Sequence, residues 1–513
     1  MTTKPISTSS EWDFETLKNY EREISRIAKK FKLDTYPNQI EIINSEQMMD
    51  AYASSGMPVN YNHWSYGKHF ISIENDYRRG HMGLAYEIVI NSNPCIAYLM
   101  EENTTTMQAL VIAHACFGHN SFFKNNYLFQ TWTDAESIVD YLVFTKNFIT
   151  QCEEQHGIEE VELLLDSCHA LMNQGVDRYK RPYPISVEEE TRRQQEREEI
   201  LQQQVNDLWK TIPKKSDDED ENISTRFPSE PQENLLYFIE KNAPLLEPWQ
   251  REVVRIVRKL AQYLYPQRQT KVMNEGWACF WHFHILHELY KERLVTDGFM
   301  LEFLQHHTNV IYQPPFNSPY FNGINPYTLG FGMMQDLKRI CENPTEEDKY
   351  WFPDIAGSPW LDTLHFAMRD FKDESFILQF LSPHLIREMR LFAILDDKKN
   401  DFLNVESIHD EAGYQTIRER LAETYNISNQ DPNIQVYEVN IRGDRSLTLR
   451  HEMHNNRPLE TESAREVLKH LHRLWGFDVH IESVTSDRHE TTIEHRYSCP
   501  ESPEIEQPSS SPD

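Results

Sequence analysis

The chain has 513 residues, with 51 Lys plus Arg against 81 Asp plus Glu, a formal net charge of −30. That length suits roughly three domains and a large buried core. The acidic excess argues against a nucleic-acid binder, which needs a cationic face for phosphates, and against docking on an anionic membrane surface.

No apolar run approaches the ~20 residues of a membrane span. The N-terminal stretch MTTKPISTSSEWDFETLKNYERE turns charged at once and lacks the apolar core of a secretory signal, so a cytoplasmic protein is expected. Cys95, Cys116, Cys152, Cys168, Cys279, Cys341 and Cys499 are an odd set without CxxC spacing. They predict reduced thiols, neither a disulfide framework nor a zinc knuckle.

Residues 11–32 carry Trp12, Leu17, Ile24 and Ile27 near one helical face and predict an amphipathic helix. A short strand is expected at 38–43 and a helix at 45–55, followed by the aromatic, basic stretch NYNHWSYGKHF (60–70). Two strands, 86–91 and 95–100, flank a tight SNP turn. A helix begins at Thr104–Thr106 and runs through ALVIAHACF to Gly118, with Thr at its start and Gly at its end. Further helices are predicted at 133–151, 158–174, 232–308, 333–342 and 359–395, with an ordered Pro/Asn/Gly-rich loop at 312–332. Beyond 396 the predicted order is βαββαβ, with a hairpin around Gly443–Asp444.

These elements predict an α+β chain, a mainly helical body with short strands, read as zincin-like, plus a C-terminal ferredoxin-like βαββαβ domain. The expected division is an N-terminal α+β domain over 1–185 and a polar helix with acidic linker over 186–230. A helical part over 231–395 packs on the first domain. The ferredoxin-like domain covers 396–497, and a disordered acidic tail covers 498–513.

Two segments can carry chemistry: AHACFGHNSFFKNN (113–126) and MNEGWACFWHFHILHELY (273–290). A zinc hydrolase of the gluzincin type takes two His from one helix and a Glu from a later one, leaving a position open. His114, His119 and Glu275 are the candidate ligands. The two histidines are five apart, about 140° round an ideal α-helix, so they converge only if the helix bends or unwinds near Gly118. Glu275 and His282, seven apart, fall within about 20° of one another, which makes His282 an extra ligand or an outer partner. Position 115 is Ala, so a general base has to come from elsewhere, with Asp134, Glu136 and Asp140 as candidates. His63, Trp64, Tyr66, Lys68 and His69, with Asn274 and Trp277, are the candidate pocket wall. A buried polar network without any metal accounts for the same residues.

Several long segments carry a family resemblance: NHWSYGKHF (62–70), AHACFGHNSFFKNN (113–126), DSCHALMNQGVDRYKRP (166–182), KVMNEGWACFWHFHI (271–285) and NPYTLGFGMMQDL (325–337). Over roughly residues 10–495 the chain resembles the stage V sporulation protein R family, in the version found in non-sporulating Gram-negative bacteria. That resemblance implies a part in building the spore cortex, a peptidoglycan layer, or in a stress response. It also implies association with a serine protein kinase and a protein with a von Willebrand-type domain. The element Glu275-Gly276-Trp277-Ala278 is similar to the EGWA of some gluzincin-like peptidases, which implies one divalent metal, zinc, at Glu275. Two functions compete: a metal-dependent hydrolase, peptidase- or amidase-like, and a non-enzymatic regulatory scaffold working with the kinase.

Overall fold

The computed structural model describes residues 4–54, 57, 60–78, 87–178, 227–395, 404–407, 409–441, 443–487 and 490–500. The predicted linker at 186–226 and the tail beyond 500 lie outside the described residues. The chain is mainly helical, with three small sheets. It divides into two compact units, each assembled from two stretches: 1–162 with 262–430, and 163–261 with 431–513. Among the described residues no helix is long and apolar enough to cross a membrane.

In the first unit the amphipathic N-terminal segment forms the helix Phe14–Lys30, capped by Asp13, whose carboxylate accepts the Thr16 N–H at 2.7 Å. Leu17, Tyr20, Ile24, Ile27 and Ala28 form its buried stripe. Strand β1 (Asn38–Ile43) runs parallel to β3 (Cys95–Met100), and β2 (Glu87–Ile90) pairs antiparallel on the other edge of β3. The β3 strand leads into a helix, Thr105–Val111, capped by the Thr104 hydroxyl. There the chain departs from α geometry. Residues Ile112–His119 form a π-helix, and α geometry resumes at Asn120–Asn125.

The helix Lys271–Lys291 packs on the π-helix through one close approach. A Cβ placed on Gly118 would lie 2.6 Å from the Ala278 Cα. On its other side the same helix crosses Pro326–Glu342, where Gly276 faces Gly330. A Cβ on Gly276 would meet Gly330 at 2.3 Å, and one on Gly330 would meet the Val272 carbonyl at 2.0 Å. The two glycines let the helices touch backbone to backbone. The buried Asp373 carboxylate accepts the N–H groups of Val272 and Met273, both at 2.8 Å, and so satisfies two of the orphan donors that open the Glu275 helix.

A two-stranded pair closes this unit's sheet structure: β4 (Ala393–Leu395) with β5 (Asn404–Ser407), antiparallel. The helix Glu411–Tyr425 follows and buries Tyr414, Ile417 and Ala422 in the same core as the helices above.

The second unit holds a four-stranded sheet in the order β6 (Asn433–Val439), β7 (Leu447–Glu452), β8 (Val479–Asp487), β9 (Glu490–Cys499). The β6–β7 and β8–β9 pairs are antiparallel and β7–β8 is parallel, bridged by the helix Thr461–Trp475. The predicted βαββαβ run is therefore divided. Its first strand pairs with β4, and its first helix packs in the core of the first unit. The predicted hairpin, second helix and last strand form the sheet, and β9, reaching Cys499, replaces the first two residues of the expected tail. Hydrophobic alternation marks strands and helices but does not say which sheet a short strand joins.

Beside that sheet, Gln232 bridges Val436 through paired backbone bonds of 2.9 and 2.7 Å, and the helix Leu235–Asn242 follows. Its Glu240 carboxylate is buried with Lys241, Arg255 and Arg258 around it.

Candidate metal centre

The π-helix resolves the spacing of the two histidines. A helix that bonds i to i+5 brings residues five apart back to one face, where an α-helix would turn them about 140° apart. The His114 and His119 rings stand 4.6 Å apart, centroid to centroid, and edge to face. Each is buried.

Their nitrogens are divided by role. His119 Nδ1 lies 2.9 Å from Asn274 Oδ1, an acceptor, so Nδ1 carries the proton and Nε2 keeps its lone pair. His119 Nε2 is 3.5 Å from Glu275 Oε2. His114 Nε2 is 3.7 Å from the same Glu275 oxygen and 3.7 Å from Glu87 Oε1. On its other side His114 Nδ1 is 2.9 Å from His282 Nδ1, and His282 Nε2 is 2.8 Å from His307 Nδ1. One consistent set of tautomers runs His114 Nδ1–H to His282, then His282 Nε2–H to His307, again leaving His114 Nε2 as a lone pair.

Burial lowers the pKa of His119 to about 4, against the pull of Glu275, and lowers His282 far below the ordinary range. Burial also takes His307 down to about 4. His114 moves the other way. Burial opposes its charge, but Cys279, Glu275 and Glu87 around it raise it well above the usual value, so its Nε2 offers a lone pair to an ion only once the ring gives up a proton. Burial raises Glu87, and the charge of Glu275 adds to the effect. Burial works against the Glu275 charge too, yet His119, His114 and the Tyr327 hydroxyl hold its carboxyl below the usual range.

Two overlapping donor groups result. Glu87, His114 and His119 offer ligand atoms within 4.8 Å of one another, and so do His114, Cys279 and His282. The donor chemistry fits a divalent ion: two imidazole nitrogens and carboxylates, with the far nitrogen of each imidazole already bonded, as metal-ligating histidines require.

The other sequence candidates lie elsewhere. Asp134 and Glu136 sit on an exposed turn. Asp134 accepts from Ser137 Oγ at 2.7 Å, and Glu136 accepts from Asn93 Nδ2 at 2.6 Å. The carboxylate that faces His114 beside Glu275 is Glu87, the first residue of β2. Trp277 is fully buried and donates its indole N–H to Ser121 Oγ at 2.9 Å, so it is core. His63 and Tyr66 line a separate cleft of about 630 Å³, together with Glu46, Asp50 and Lys146. None of the His/Glu cluster borders it. Trp64, Lys68 and His69 are exposed, with the Lys68 ammonium over the Trp64 ring.

Sequence reasoning missed Glu87, Cys279, His307 and Tyr327. Cys279 had a signal: it lies four residues after Glu275 and three before His282, on one helical face. Glu87, His307 and Tyr327 reach the site only through tertiary packing.

Residues 11–430 match the family model described as SpoVR like protein, and residues 432–486 match the SpoVR-like C-terminal domain. The chain is 65% identical over 498 residues to a protein of Escherichia coli (strain K12) described as uncharacterized protein YcgB, covering 97% of each. No solved structure matches significantly. Both family models are met in order along one chain, and they meet where its second unit resumes, at Asp431. The chain therefore belongs to the SpoVR family.

Proposed function

We propose that this chain holds a divalent metal ion, zinc in the first instance, at His114, His119 and Glu275, in a degenerate zincin-like site that hydrolyses a peptide or amide bond. The observation that carries this reading is the convergence of the His114 and His119 Nε2 atoms on one Glu275 oxygen, at 3.7 and 3.5 Å. When bound, such an ion supplies Lewis-acid polarisation and lowers the pKa of a water.

The chain's own residues do the rest. Asn274 fixes the His119 tautomer, and His282 with His307 fixes that of His114. Glu87, its carboxyl raised by burial, stands where it can take up and return a proton beside His114. In this reading the substrate is a cytoplasmic precursor of the envelope or cortex peptidoglycan, or a protein of a stress response, which the resemblance to stage V sporulation protein R supports.

The test is elemental analysis of untagged wild type and His119→Ala by plasma mass spectrometry. About one ion per chain is expected in wild type, lost in the variant with its circular dichroism unchanged. Full metal retained in His119→Ala overturns the ligand set.

A second reading, a regulatory scaffold working with a serine protein kinase and a von Willebrand-type domain protein, is favoured by one observation. The cleft around His63 shares no lining residue with the buried cluster. Wild type free of metal after growth in replete medium supports that reading.

A further inference from the structure

A second set of donors shares His114 with the first. Cys279 and His282, three apart on one face of the Lys271–Lys291 helix, bring their ligand atoms within 4.8 Å of one another and of His114. All three residues are buried. His114 Nδ1 and His282 Nδ1 stand 2.9 Å apart, a hydrogen-bond separation that a small opening to ~3.3 Å would convert into two nitrogens on one tetrahedral ion. The remaining nitrogen of His282 is bonded to His307 Nδ1 at 2.8 Å, the outer bond that orients a metal-ligating imidazole.

We infer that His114 Nδ1, Cys279 Sγ and His282 Nδ1 form a second metal position, taking a borderline-soft ion such as zinc. The inference goes beyond the proposed function; it shares the ligand His114 with it, and it makes His282, there a positioning residue for His114, a ligand in its own right, with His307 orienting it in both. One ring can serve both positions because its two nitrogens face opposite ways: Nε2 toward Glu87 and Glu275, Nδ1 toward His282. The donor sets differ in kind. The first set offers carboxylate oxygen, and the second offers sulfur, which selects zinc and other soft ions over magnesium or calcium. Binding makes two bonds to nitrogen and one to sulfur. The Cys279 thiol proton and the His114 Nδ1 proton leave to solvent, and no electron moves.

Cobalt(II) loaded into metal-free full-length protein tests this, because a thiolate ligand gives an intense charge-transfer band in the near ultraviolet that oxygen and nitrogen ligands do not. Wild type is expected to bind about two equivalents and to show the band. Cys279→Ser, a near-isosteric change, loses the band and one equivalent. His119→Ala loses the other equivalent and keeps the band. Wild type that binds cobalt without the band overturns the inference and leaves the Nε2 site standing. A band retained with stoichiometry unmoved by His119→Ala overturns the proposed ligand set and leaves the inference standing. Protein that takes up no cobalt overturns both.

Discussion

Asn274 accepts the Nδ1–H of His119 at 2.9 Å, and that bond decides which nitrogen of the ring is left with a lone pair. Outer partners of this kind change metal affinity by about 10–100-fold when removed. Asn274→Ala is therefore expected to weaken the ion by that factor in a chelator competition, while Asn274→Asp, which keeps the acceptor, loses less. Equal affinity in Asn274→Ala and wild type would show that the ring needs no such support.

Asp348 supplies a pH prediction outside the site. It is 2% exposed, caps its own helix through Thr345, and receives both Arg339 terminal nitrogens, at 2.6 and 2.8 Å. Burial alone would raise its pKa, but Arg339 and Thr345 outweigh it and bring the carboxyl down to about 2. A depressed folded pKa gives stability that is present above the unfolded value and lost as pH falls through the folded one. Wild type is expected to exceed Asp348→Asn by about 1–2 kcal/mol in urea at neutral pH, with the gap roughly halved near pH 3. A gap that does not change over that range contradicts the pairing. At this scale the gathering of His114, His119 and Glu275 was legible because they are the residue types a zinc site would take. Glu87 was not, since one carboxylate on a strand edge looks like any solvated strand residue until the strand is placed.

The same limit shows differently between elements. The helix over 11–32 and the strands at 38–43 and 95–100 were readable from periodicity and caps, and they appear as Phe14–Lys30, Asn38–Ile43 and Cys95–Met100. The π-helix was not readable. A period of 3.6 is assumed when angles are counted, and only the five-residue gap between the histidines hinted at another geometry. Gly276 and Gly330 belong to the same lesson. Inside helices they read as propensity defects, yet each stands where a Cβ would strike backbone. Gly276→Ala or Gly330→Ala should force the two helices apart at a cost of about 1–3 kcal/mol or more. Because Tyr327 and Glu275 flank that crossing, metal affinity should fall with stability. Gly67, with nothing within 4 Å of its would-be Cβ, is the control. In its helix Gly67→Ala should be neutral or stabilising by up to about 1 kcal/mol. Thermal melts of the three variants separate close approach from helix propensity. An unshifted melt in both Gly276→Ala and Gly330→Ala would mean the crossing can relax.

Across the whole chain, each unit is built from two stretches, an arrangement that linear patterning cannot display. Residues 396–497 read as one domain because their elements alternate in a familiar order. In the structure 404–430 belongs to the first unit, and 163–261 completes the second. The sheet β6-β7-β8-β9 depends on that earlier stretch in two visible ways. Residues 227 and 232 bond to the β6 backbone, at Val439 and Val436, and so cover an edge that would otherwise expose unpaired groups. Phe238 stacks on Trp475, the buried end of the bridging helix, at 6.0 Å.

Stripping one large side chain such as Phe238 from its packing costs about 1.5–3 kcal/mol, and Leu235, Leu236 and Ile239 on the same helix are buried as well. Their combined loss rivals the 5–15 kcal/mol by which a typical domain is stable. A fragment of 431–500 alone is therefore expected to be unfolded or aggregated. Joining 163–261 to it through a flexible linker should restore a cooperative melt and protected β-sheet amides in hydrogen exchange. Cooperative folding of 431–500 by itself would mean that the sheet and its one helix suffice, and that the earlier stretch only docks onto a finished domain.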